Sequence, residues 1–178
     1  VDEETNTIAL TFDSTVNLVP SWSGFWGPAS HGADLTFGEF RFSVIMMNEY
    51  TRTHDMAYLN SLCAILYRRK KDGKRVPFSS SKLGKAAKDI VNMPDYLKWG
   101  VYCEVCFASI FTSSGKDNTP EQSLGMNSIL FSVAESGVFG GIEEVDNTQL
   151  LRVLLKLLDD KQKADAILKS AKNHDIQY

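Results

Sequence analysis

Cys103 and Cys106 form a C-x-x-C pair, the spacing that lets two thiolates face one metal ion. Cys63 and His54 would complete a three-sulfur, one-nitrogen set for tetrahedral zinc. The pair lies inside YLKWGVYCEVCFASIF, however, with no Gly or Pro knuckle, and Cys63 and His54 show no paired spacing. On a helix Cys103 and Cys106 share a face at i, i+3, as small buried hydrophobes do. Core packing is the leading reading, ahead of a zinc site at His54, Cys63, Cys103 and Cys106 or a redox dithiol. No strand precedes the pair, and no helix N-terminus is in place to activate a thiol. His31 and His174 lie far from one another in sequence and from any group that would make either a general base. Asp55, next to His54, suits a helix cap better than a catalytic partner. No GxSxG, HExxH or P-loop occurs, and the glycines of 24–27 and 137–141 lack the lysine a phosphate cradle needs. The expectation is a non-enzymatic protein without a cofactor, with a zinc-dependent or thiol enzyme as an alternative.

Charge carries more information. Six of the eight residues from Arg68 to Arg75 are basic (Arg68, Arg69, Lys70, Lys71, Lys74, Arg75), in a chain of formal net charge -3. With Lys82, Lys85 and Lys88 the stretch reaches nine basic residues against Asp72 alone. Three readings apply: a solvated turn and helix face, a docking surface for an acidic protein, or a phosphate-binding patch for nucleic acid. The chain's pI of 5.6 argues against the last.

Residues 1–35 have the opposite character, with Asp2, Glu3, Glu4, Asp13 and Asp34 and no Lys or Arg. Thr7 to Phe12 and Val16 to Val19 have strand composition. Pro20, Gly24, Gly27 and Pro28 punctuate a stretch bearing Trp22, Phe25 and Trp26. This reads as an extended acidic aromatic arm. Its rings are candidate anchors for a partner, in its own domain or in a second copy, and head-to-tail repetition would give rings or filaments.

Residues 36–178 read as a helical domain. Thr36 with Glu39 is a capping box, and Phe37, Phe40, Val44 and Met47 line the helix it starts. A second helix runs from Asp55 into the basic segment, where Asp72-Gly73 marks a turn with hairpin-like flanks. A third amphipathic helix follows Ser79–Ser81. A fourth, from Asp95 to about Phe111, is apolar nearly all round and is expected at the centre. Thr119-Pro120-Glu121-Gln122 starts a fifth, ending near Gly137. Asp146 or Asn147 is expected to cap the Leu-rich stretch Leu150 to Leu158, and Ala164, Ile167, Leu168 and Ala171 form a last stripe. The fold class is mainly α, a compact bundle of six or seven helices with an extended arm.

At 178 residues and 43% apolar content, the chain is of single-domain size and carries enough for one core. No run suits a membrane span, since Val101 to Phe111 is interrupted by Glu104. No signal-peptide pattern opens the sequence, and three cysteines suit a reducing compartment. The chain is expected in the cytoplasm or a virion, and its start at Val1 is expected to reflect processing or excision.

The stretch LNSLCAILYRRKKDGKRVPF (Leu59 to Phe78) resembles a pattern in structural or tail-assembly proteins of tailed bacteriophages, a helix ending in an LYR-like turn and then a basic, Gly-containing loop. The resemblance covers about a tenth of the chain and implies a non-enzymatic assembly component. The leading expectation is therefore a self-associating protein that docks through Trp22, Phe25 and Trp26 and through the basic residues of 68–75. A nucleic-acid-binding module using segment 68–88 is the alternative.

Overall fold

A computed structural model describes residues 19–112 and 125–174, with backbone alone at 31, 106–112 and 170–174. The expected strand at Thr7 to Phe12, most of Val16 to Val19 and the helix start at Thr119 to Gln122 lie outside the described residues. The fold is mainly α. In chain order the described elements are β1 (Ser21–Trp22), β2 (Phe25–Trp26), α1 (Phe37–Thr53), α2 (Met56–Leu66), β3 (Lys70–Lys71), β4 (Lys74–Arg75), α3 (Leu83–Ile90), α4 (Asp95–Thr112), α5 (Gly125–Glu135), α6 (Ile142–Asn147) and α7 (Leu150–His174).

Local chemistry sets the helix boundaries. Thr36 Oγ1 accepts from Glu39 N at 3.2 Å and Glu39 Oε2 accepts from Thr36 N at 3.0 Å, the reciprocal capping box read from sequence. His54 turns left-handed (φ 56°) to end α1, and Asp55 Oδ1 then accepts from Ala57 N at 2.8 Å to start α2.

Two apolar clusters share α1. The larger gathers Phe40, Val44, Met47 and Tyr50 of α1, Leu59 and Leu62 to Leu66 of α2, Ile90, Met93, and Val101 and Val105 of α4. The smaller joins Phe37 to Leu130, Val133, Val145 and Val153, which ties α5, α6 and the start of α7 to the first turn of α1.

Two expectations need correction. The central helix is α2, whose Leu59, Leu62, Cys63 and Ile65 are fully buried, while α4 leaves Tyr96 74% and Trp99 46% exposed. The reason is charge: α2 has none from Met56 to Leu66, whereas α4 carries Lys98 and Glu104. The buried Lys98 amine needs both Val91 O (3.0 Å) and Asp95 Oδ1 (3.2 Å). Asp146 and Asn147, expected to cap the Leu-rich helix, instead close the separate helix α6. Arg41 holds Asp146 there through Nε (3.1 Å) and Nη2 (2.5 Å). The Leu-rich stretch and the Ala164–Ala171 stripe merge into the single helix α7.

The described part of the arm, residues 19–35, belongs to the body. β1 and β2 pair antiparallel through the tight turn Ser23-Gly24, both at positive φ. Trp26 and Arg68 exchange backbone hydrogen bonds at 2.8 and 3.0 Å, which joins this hairpin to the basic one.

Candidate functional site

Among the described residues the thiol and imidazole candidates are not brought together as a site. Cys63 is fully buried, and burial pushes its thiol up to about 12 against the opposing effect of Lys98, so it stays protonated. His54 is exposed at the end of α1, edge-on to Tyr50. Cys103 is half-buried, and the side chains of Cys106, His31 and His174 lie outside the described residues. Among the described residues no group of His, Cys, Asp or Glu could hold a metal ion.

The basic segment divides into three kinds of residue. It is a hairpin with register Lys70↔Arg75 and Lys71↔Lys74, turned by Asp72 (φ 53°) and Gly73 (φ 76°). Positive φ at both corners is the primed two-residue turn that matches strand twist. Arg68 and Arg75 face inward onto Glu39, which is only 2% exposed. Arg68 bonds Glu39 Oε1 and gives a second hydrogen bond to Ile65 O at 2.6 Å. Arg75 reaches Asp34 Oδ2 (3.0 Å), Leu66 O (2.8 Å) and Glu39 Oε2 (3.5 Å). Burial lowers the Arg68 pKa, and Glu39 opposes the shift. These two arginines hold the fold and are not available for docking.

Arg69 and Lys70 bind the first hairpin. The Arg69 guanidinium lies 4.1 Å from the Phe25 ring centre and Lys70 Nζ lies 3.7 Å from that of Trp26. Lys71 and Lys74 point outward, and neither makes an ion pair among the described residues. The rings divide similarly. Phe25 is buried in the main core, Trp22 stacks on it at 6.1 Å and is half-buried, and Trp26 is 38% exposed. Phe25 therefore acts as a core residue and not as a partner anchor.

A larger contact feature escaped sequence reasoning. Val153 is fully buried and Leu157 partly so, but from Leu158 to Lys169 every residue of α7 is exposed. Leu151, Leu155 and Leu158 are each more than half exposed, as are Ile167 and Leu168. At 3.6 residues per turn the first three fall within about 60° of one another. Ion pairs Lys156–Asp160 and Lys163–Asp159, both at 2.5 Å, follow the helix elsewhere. A signal was present: leucines at 150, 151, 154, 155, 157 and 158 cover more of a helix surface than one packed face can bury.

Among the described residues no helix is long and apolar enough to cross a membrane. No protein-family model, no curated protein and no solved structure matches this chain.

Proposed function

We propose that the chain is a non-enzymatic structural or assembly protein working through protein–protein contacts, with α7 as its principal contact and a second copy as the partner. The carrying observation is the run of twelve exposed residues on α7 that includes Leu158, Ile167 and Leu168. A helical segment of that length without tertiary packing is marginal in water. Large aliphatic side chains gathered on it mark an interaction surface. Pairing two copies of α7 side by side buries the same leucines from each, as an isologous interface requires. Burying a fully exposed leucine contributes roughly 1.5–3 kcal/mol. Leu151, Leu155 and Leu158 start 52–59% exposed, so six of them across the interface supply about 5–10 kcal/mol, comparable to the ordering costs of association.

Lys71 and Lys74 of the second hairpin, Lys82 just before α3, and Lys85 and Lys88 on α3 are all exposed, and these cations suit an acidic protein. The nucleic-acid alternative uses the same lysines but without Arg68 and Arg75, whose charges are neutralised internally. A virion or its tail-assembly pathway is the setting that the bacteriophage resemblance implies.

Sedimentation velocity across a dilution series tests the reading. The wild-type chain should self-associate, and Leu155→Glu with Leu158→Glu should leave a folded monomer. A wild type that stays monomeric at all concentrations, or a double variant that associates unchanged, overturns it.

A further inference from the structure

Helix α7 carries a second apolar stripe. At about 100° per residue, Leu150, Val153 and Leu157 point within about 60° of one another, and through them α7 packs on its own body. Ala164, Ile167 and Leu168 continue that mean direction to within about 20°. The body ends first, since residues 158–169 are all exposed, Ile167 at 69% and Leu168 at 60%. Over these twelve residues, about 18 Å of helix, the face buried at the start of α7 runs on without cover. Leu151, Leu155 and Leu158 point about 150° away from it. A single partner helix lying along α7 cannot cover both directions. The pair formed through Leu151, Leu155 and Leu158 therefore leaves the second stripe outside.

The flanking charges identify what covers it. Lys161 and Asp165 share one flank of the stripe, about 20° and 60° beyond Leu168. Neither makes an ion pair among the described residues, whereas Lys156 pairs with Asp160 and Lys163 with Asp159 within the helix. Lay two copies of 158–169 antiparallel and fully overlapped, and the two-fold axis passes between Lys163 and Ala164. Lys161 of each copy then comes within about 1.5 Å, along the helix, of the level of the other's Asp165. Like flanks meet in an antiparallel pair, so both cross-pairs can close, and such flanking charges set partner and orientation. The small Ala164 beside the axis lets the helices approach closely. A parallel pair is blocked by the bodies: each is seated on this same face at the start of its α7, and parallel copies would bring both to one level.

We propose that Ala164, Ile167 and Leu168 form a second self-association surface, which pairs antiparallel with the same stripe of a further copy and joins α7 pairs into larger assemblies. Ile167 and Leu168 of each copy cover Ala164 and the Lys161 stem of the other, and Lys161 meets Asp165 across the axis. This rests on the reading of α7 as the self-association helix and adds a second, differently directed contact to it. The order of assembly follows. Residues 158–169 are marginal as a lone helix, so pairing through the first stripe, which holds α7 as far as Leu158, precedes pairing through the second. Two contacts of different direction on each copy let growth continue past a closed dimer.

Light scattering on the size-separated 178-residue chain, over a range of concentrations, tests it. The wild type should pass the dimer and reach about four copies or more. Ile167→Glu with Leu168→Glu should stop at two copies. Lys161→Glu alone, and Asp165→Lys alone, should each raise the concentration at which larger species appear by about tenfold, as two reversed exposed pairs would. Combining these two charge changes should bring it back to within about threefold of wild type, which a general loss of helix would not allow. A wild type that stops at two copies, larger species that survive the Ile167 and Leu168 changes, or a double charge reversal no better than the single ones overturns the proposal and leaves the α7 pair standing. A wild type that is monomeric at every concentration overturns both.

Discussion

Replacing Glu39 by Gln removes one charge and almost no volume from a buried carboxylate that accepts from Thr36 N, Arg68 and Arg75. Glu39 is 2% exposed and faces Arg68 and Arg75, whose side chains are 11% and 5% exposed. The Gln oxygen can still accept from Thr36 N, so the capping box survives and the perturbation is electrostatic. Removing one partner of a buried ion pair costs about 3–5 kcal/mol, because the remaining charge stays out of water without compensation. Arg75 retains Asp34, so the loss falls near the lower end, about 3 kcal/mol. For a domain of this size that corresponds to a fall in Tm of roughly 6–12 °C. Urea unfolding at neutral pH gives the direct measurement, with a lower midpoint at constant m. Adding Arg68→Met should recover part of the loss, because the stranded cation is then gone. A Glu39→Gln variant within about 0.5 kcal/mol of wild type would refute the argument and return Arg68 and Arg75 to the free basic surface.

Three further outcomes follow from the same structure. Phe25→Ala should destabilise by about 3 kcal/mol as a core truncation, whereas Trp26→Ala should cost clearly less; equal midpoints in urea would contradict the division between them. Gly38→Ala would place a Cβ 3.0 Å from both Asp146 Cβ and Asp146 O, and the shift this forces near the Arg41–Asp146 pair should cost about 1–3 kcal/mol by thermal unfolding. Cys63 holds its proton in the folded chain up to about pH 12 against an ordinary value of 9.0, so its contribution to stability is complete below pH 9.0 and is lost as pH rises from there to about 12. Urea midpoints across that window should fall more steeply for the wild type than for Cys63→Ala; parallel curves would exclude this role for the thiol.

Much of the fold was legible in the chain. The Thr36/Glu39 box, the Asp55 cap and the apolar period of α1 and α2 depend on neighbours within one or two turns, and local hydrogen bonding and side-chain spacing decide them. The basic segment was equally visible as a charge run with an Asp-Gly corner. Its six cations could not be sorted by sequence, because burial of Arg68 and Arg75 depends on Glu39, about 30 residues away, and stacking of Arg69 and Lys70 depends on a hairpin more than 40 residues away.

The same limit explains the misplaced centre. Composition favoured α4, yet occupancy of the middle is a competition among helices, and α2 wins because it has no charge to desolvate. Residue types and short spacings determined that this protein is mainly helical, where several of its helices begin and that its charges are segregated. Tertiary structure alone decided which arginines are internal and which leucines of α7 lack cover, because each of these depends on what a distant segment brings into contact.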